Sequence, residues 1–409
     1  MPEIDKRFIN MFDLLLCLTN AVDMVSPELS NHHQKVSYLS YKIARQMHLP
    51  AEQAEDLALA GLLHDVGALS LDERLELLMS EPPSSQEHAL RGSDLLYGFE
   101  PLRNAAEIIK YHHVSWNNGE GASYDGNKVP LSSHILHLAD RVSVLIDSSK
   151  AILCQVKNIQ DIILAQKGIS FPPEAVDAFM EISVNEYIWL DIDNKSLMNY
   201  FPQVVQFSIV RLSIIEVVEL ARIFSFIIDS SNSFTAYHSA GVAVIAEKLA
   251  ELAGFSKIEC KMMLVAGYLH DLGKLAVNNE ILEKPTALDS VELNEIRSHT
   301  FYTYRLLQSI KGFETINEWA SFHHEKLNGT GYPFHLNRDS LSIGSRIMAV
   351  ADIFTALTED RPYRQGLPDI QAISILQGKV TDGSICPYVF SILLNNFELL
   401  NTLRRQAQE

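Results

Sequence analysis

The sequence predicts an all-α protein made of two tandem helical bundles, and three observations predict it. Apolar residues in Val242–Ala253 (Val242, Ile245, Ala246, Leu249, Leu252) recur with the stripe of an amphipathic helix, and Val36–Met47 does the same. Segments of alternating β-branched residues are scarce. A pattern of histidines and aspartates is also written twice along the chain. At 409 residues the chain has room for two domains, each large enough to bury its own core.

The repeat can be followed element by element. In the second half, the apolar segment Ile214–Asp229 leads to His238 and then to His270-Asp271; in the first, Phe12–Asp23 leads to His33 and then to His64-Asp65. His32 competes with His33 for the first position, and spacing is taken to favour His33. His88 then answers His299, the pair His112-His113 answers His323-His324, and Asp140 answers Asp352. The tails agree as well, Ile169–Phe179 echoing Val380–Phe390. The turn chemistry of Asp191–Lys195 and Pro202 places the expected boundary near 190–205, giving domains 1–200 and 201–409.

Composition narrows the function. With 47% apolar and 21% charged residues the chain reads as soluble and globular. A net charge of −18 argues against a DNA or RNA duplex or an anionic membrane as partner, because those need a broad basic face. A small anionic substrate remains compatible, since metal ions and a few arginines can reverse the local field. Cys17, Cys154, Cys260 and Cys386 are scattered without a CxxC pair, which predicts free thiols in a reducing compartment. The run Leu14–Leu18 is too short to span a bilayer and lacks a basic flank, and Glu216, Glu219 and Arg222 interrupt 214–228. A cytoplasmic location is expected.

The most informative stretch is His323-His-Glu-Lys-Leu-Asn-Gly-Thr-Gly-Tyr-Pro333, two adjacent imidazoles followed by a glycine-rich turn. Upstream lies His270-Asp-Leu-Gly-Lys274; downstream come Asp352 and Arg361-Pro-Tyr-Arg364. Hydrolysis of a phosphodiester needs cations that neutralise the anion and generate a nucleophile at neutral pH, and two metals close together do both. Mixed imidazole and carboxylate ligation without thiolate suits Fe or Mn, and is also compatible with Ni, Zn or Mg. By contrast, His335 stands alone and reads as an ordinary side chain.

On these motifs residues 210–390 resemble the HD-GYP family, a branch of the HD metal-dependent phosphohydrolases that degrades the second messenger cyclic di-GMP and related cyclic dinucleotides. The resemblance implies two HD-type domains, the first of them degenerate. It also implies two divalent ions, with Asp271 bridging, His238, His270 and Asp352 completing one set and His299, His323 and His324 the other. A hydroxide activated at the metal pair would open cyclic di-GMP to linear pGpG and onward to GMP; 3′,3′-cyclic GMP–AMP is the alternative substrate. Lys274 would act with Asp271 in catalysis, and Lys274, Gly331, Tyr332, Arg361 and Arg364 would grip the nucleotide. Glu325 is expected to orient a ligand from behind. Some members carry a glutamate four residues before the first histidine as a ligand for a third metal; here Phe234 stands there, so two metals are expected. Asn328 replaces the commoner aspartate, with little consequence for a tight turn.

The first half keeps His33, His64, Asp65, His88, His112, His113 and Asp140 but not the substrate grips. Ala68 replaces the lysine, Val114 the glutamate, 116–126 contains no Gly-Tyr-Pro, and the run Arg141–Asp147 that follows Asp140 contains no Arg-Pro-Tyr-Arg. A metallated regulatory domain, a decayed scaffold and a hydrolase for another substrate all fit that pattern. For the whole chain, a non-catalytic cyclic dinucleotide receptor and a general HD nucleotidase compete with the phosphodiesterase reading. A homodimer through 204–228, or a signalling partner on the N-terminal domain, is left open.

Overall fold

A computed structural model describes the chain except residues 1–8, 25–30, 80–83, 194–200, 202–204, 206, 231–236, 283, 285, 361–364 and 409. Arg361 and Arg364, and Phe234 with the question of a third ligand, lie outside the described residues. The protein is all-α: strand is limited to two short antiparallel pairs, Ile9–Asn10 with Arg211–Leu212 and Ser123–Tyr124 with Asn127–Lys128. No helix among the described residues is long and apolar enough to cross a membrane. All four cysteines are free.

The chain divides into two compact units, the described residues of 1–25 and 210–409 forming one and those of 26–209 the other. This corrects the expected division at its N-terminal end. The helix Met11–Asp23 joins the C-terminal unit, where Met11 N–H donates to Val210 C=O at 2.9 Å and Ile9 pairs with Leu212. The repeat had assigned Phe12–Asp23 to the first half, as the segment leading to His33.

In the C-terminal unit the helices Ile214–Ser230, His238–Leu252, Lys257–Leu269, Ser290–Gln308, Glu314–Ser321 and Ile343–Thr358 carry or brace the site. Two begin with capping boxes, Ser256 with Glu259 and Asp289 with Glu292, which satisfy backbone N–H groups left over at a helix start. Phe224, Phe313 and Phe354 are fully buried between them. Close approach depends on glycine: a Cβ at Gly267 would lie 2.4 Å from Ala243 Cα, and one at Gly273 would lie 2.0 Å from His299 C=O.

The N-terminal unit builds the same frame from His32–Gln46, Ala51–Leu63, Ser85–Tyr97, Arg103–Lys110 and Leu131–Val144. Its glycines repeat the contacts, Gly61 against Ser37 Cα at 2.6 Å and Gly67 against His88 C=O at 2.1 Å. Trp189 packs edge-on against Phe179, both fully buried, and closes the end of its core.

Candidate metal centres

Each predicted ligand in the C-terminal unit is delivered by a helix end or a helix face. His238 is the first residue of His238–Leu252, and His270-Asp271 follow directly on Lys257–Leu269. His299 lies in Ser290–Gln308, His323-His324 follow Glu314–Ser321, and Asp352 lies in Ile343–Thr358. Thr303 ties two of these elements together: its hydroxyl donates to His270 C=O at 3.1 Å and accepts from Gly273 N–H at 2.9 Å.

The seven residues converge. His270 Nε2 is 3.2 Å from Asp271 Oδ2, and His299 Nε2 is 3.4 Å from Asp271 Oδ1, so the two oxygens of one carboxylate face two groups of imidazoles. His238 Nε2 is 3.3 Å from Asp352 Oδ1, and His324 Nδ1 is 3.9 Å from Asp352 Oδ2. His238, His270 and Asp352 form one potential ligand set and His299, His323 and His324 another.

The donor chemistry fits a cation. His299 and His323 each donate Nδ1–H to a backbone carbonyl, of Ile296 and Ala320, both at 2.6 Å. Burial keeps both rings neutral, pushing His299 down to about 3 and His323 well below its ordinary value. Their Nε2 atoms therefore carry bare lone pairs, yet lie 3.3 Å apart. Two lone pairs face one another at that distance only when a positive charge is meant to sit beside them. His270 likewise donates Nδ1–H to Gly267 C=O at 2.7 Å, and its buried Nε2 makes no acceptable hydrogen bond.

His238 differs because a helix start offers no carbonyl one turn back. Its Nδ1–H is instead 2.9 Å from Glu359 Oε2, and Gln408 Nε2 donates to the same oxygen at 3.3 Å. Burial opposes charge on His238, but Glu359 and Asp352 lift it to about 10. Glu359 was not anticipated, although it lies seven residues after Asp352 and so two helical turns along the same face.

Lys274 donates to Asp271 Oδ2 at 2.6 Å, and Asp271 outweighs burial to raise the ammonium above its ordinary value. Tyr332 lies on the open side of the centre, its ring 4.9 Å from that of His324, whose side chain keeps 31% exposure. Burial pushes the Tyr332 phenol above its ordinary value. Arg297, exposed and absent from the expected set, stands over that ring at 5.5 Å. Nothing in the sequence around it signalled this.

The loop that presents Tyr332 is held by Glu325. Its buried carboxylate accepts Phe334 N–H at 2.7 Å and Leu336 N–H at 2.9 Å, so it pins the loop rather than orienting a ligand imidazole, a correction to its expected role. Gly331 is obligatory here, since a Cβ would meet Lys326 N at 2.4 Å. Asn328 Oδ1 accepts from Thr330 N–H at 3.1 Å, the turn bond that an aspartate would also make.

A second cluster occupies the N-terminal unit, and here one assignment changes. His32, the first residue of its helix, is 3.3 Å from both Asp140 Oδ1 and His64 Nε2, which makes it the counterpart of His238. The residue offset linking Gly61 to Gly267 and His64 to His270 also links His32, not His33, to His238. His33 still lies within ligand distance of His64 and Asp65.

Comparison with known proteins agrees with this frame. The HD-domain family model matches residues 17–158 and again 222–385. A 3′3′-cGAMP-specific phosphodiesterase 1 of Vibrio cholerae is 30% identical over 95% of this chain and 92% of its own length. A cyclic di-GMP phosphodiesterase of Pseudomonas aeruginosa is 34% identical over 35% of each chain. A crystal structure of a cyclic GMP–AMP specific phosphodiesterase, V-cGAP3 of V. cholerae, superposes with a TM-score of 0.67 at 25% identity, covering 96% of this chain and 99% of that one. With the family pattern met in both units, this chain belongs to the HD-domain phosphohydrolases and is related to the HD-GYP cyclic dinucleotide phosphodiesterases.

Proposed function

We propose that the C-terminal unit hydrolyses 3′,3′-cyclic GMP–AMP, opening the ring to a linear dinucleotide. One observation carries the choice of substrate. The relative matched along nearly the whole chain is named for cyclic GMP–AMP, whereas the named cyclic di-GMP enzyme matches about a third of it. The expectation of cyclic di-GMP as main substrate is therefore the less supported of the two.

His238, His270 and Asp352 would hold one divalent ion and His299, His323 and His324 the other, with one oxygen of Asp271 turned to each set. Fe suits both donor types of that set, with Mn, Zn and Ni also compatible. Such a pair supplies a hydroxide at neutral pH and neutralises phosphate charge. Lys274, charged at neutral pH, meets a phosphoryl oxygen and can return a proton to the departing ribose oxygen. Tyr332, held protonated, serves as a hydrogen-bond donor. Arg297 adds positive charge on the open side, and Arg361 and Arg364 complete the grip on phosphate.

Metal-loaded protein mixed with 3′,3′-cyclic GMP–AMP or cyclic di-GMP, with products separated by chromatography, tests this. At least about a tenfold higher kcat/KM is expected for the mixed dinucleotide, a difference of about 1.4 kcal/mol in transition-state binding. The combined His270→Ala, Asp271→Ala variant should turn over neither. A preference for cyclic di-GMP would overturn the assignment.

A further inference from the structure

The N-terminal unit has lost the substrate grips but not the geometry of a metal centre. Asp65 repeats the position of Asp271: its Oδ2 is 3.1 Å from His64 Nε2 and its Oδ1 is 3.2 Å from His88 Nε2. His64 and His112 donate Nδ1–H to Gly61 C=O at 3.0 Å and Ile109 C=O at 2.7 Å, which turns both Nε2 lone pairs inward. The buried Nε2 of His112 has no hydrogen-bond partner. The Nε2 of His64 lies 3.3 Å from that of His32, and the Nε2 of His113 lies 3.3 Å from that of His88.

The surroundings point to retention rather than turnover. Asp140 turns Oδ1 toward His32 and His64, while its Oδ2 is clamped by Arg141 through Nη2 at 2.6 Å and Nε at 3.1 Å. Its side chain keeps only 3% exposure, against 11% for Asp352. The buried Ala68 stands where Lys274 stands in the other unit. Trp116 begins the segment that replaces the Gly-Tyr-Pro loop and packs edge-on against His134 at 5.3 Å. Burying two carboxylates among imidazoles from four separate chain segments is costly unless a cation ties them together.

We propose that the N-terminal unit holds its own pair of divalent transition-metal ions, and that they bind its helices together without cleaving a phosphodiester. His32, His64 and Asp140 take one ion, His88, His112 and His113 the other, and Asp65 is shared. The excess of nitrogen ligands selects Fe(II), Zn(II) or Ni(II) over Mg(II). The inference stands whichever dinucleotide the other unit cleaves.

The test counts metal on the full chain. Metal-free protein is loaded with Zn(II), desalted and measured by plasma mass spectrometry. Wild type should hold about four ions, the His270→Ala, Asp271→Ala variant about two, and that variant with Asp65→Ala added none. Chelation should also lower the unfolding midpoint of the two-residue variant by several degrees, as expected when an ion binds only the folded form. Loss of all metal from the two-residue variant would overturn the site, even if the three-residue variant failed to fold. Metal retained with no change in midpoint would overturn the stapling role.

Discussion

Glu359 accepts the Nδ1–H of His238 at 2.9 Å, whereas His270, His299 and His323 each donate to a backbone carbonyl of their own helix. A carboxylate behind an imidazole fixes its tautomer and makes Nε2 more electron-rich, so Glu359 would set both the aim and the strength of His238 toward the ion proposed for it. In the N-terminal unit the same position of His32 faces Ser143 Oγ at 3.2 Å, a neutral group.

Glu359→Gln keeps the volume and an acceptor oxygen but removes the charge. Metal affinity at the His238 set should fall by about 10- to 100-fold, read by titrating metal-free protein. The remaining ion should bind with its wild-type affinity. Unchanged affinity for both would show that the hydrogen bond only packs the ring.

Lys274→Met removes the ammonium beside Asp271 while keeping the stem. kcat should fall by about 100-fold or more with metal content intact, since the change strikes charge and proton supply rather than ligation. A wild-type kcat at saturating substrate would remove Lys274 from the chemistry.

Gly331→Ala places a methyl group 2.4 Å from Lys326 N and must shift the loop that carries Tyr332. The expected result is a KM raised by about tenfold, the equivalent of about 1.4 kcal/mol, with a smaller change in kcat and full metal content. A kcat that collapses while KM stays put would mean that the loop shapes the metal centre instead of the substrate path.

Asp229 is buried and accepts Ser239 N–H at 2.9 Å and its hydroxyl at 2.7 Å, securing the start of the helix that opens with His238. Burial raises its pKa from 3.8 to about 6, with His238 and the Ser239 bonds pulling the other way. The folded state thus holds this proton where the unfolded chain has released it. Its favourable contribution is complete below 3.8 and is lost as pH climbs through about 6. Asp229→Asn cannot ionise, so its thermal midpoint should gain on wild type between those two values and run parallel above them. A constant difference across that window would contradict the assignment.

The converging histidines and aspartates were legible because each half supplies a template for the other, and a histidine supported by a matching partner means more than one standing alone. At His32 and His33 the spacing was misread by one residue: 32 positions separate His238 from His270 and His32 from His64, and adjacent residues on a helix point about 100° apart. A slip of one position is small in the sequence but decisive in space. Glu325 was read as a ligand's support because it follows two histidines; its backbone partners, Phe334 and Leu336, become visible only once the loop doubles back. Met11–Asp23 buries most of its apolar residues, yet no pattern within it distinguishes one bundle from the other. Free energy of burial carries no address.

The bare α-carbons of Gly273 and Gly67 have a last implication. Each lets the backbone just past a His-Asp pair rest on the carbonyl of the histidine it faces, with no side chain between them. The separation of the two ligand groups is then gauged by main chain against main chain, a hard stop that side-chain rotation cannot relax. Any larger residue there would act as a shim, widening the gap across which Asp271 or Asp65 must reach. Two halves that differ at Lys274 and Ala68 share the same caliper.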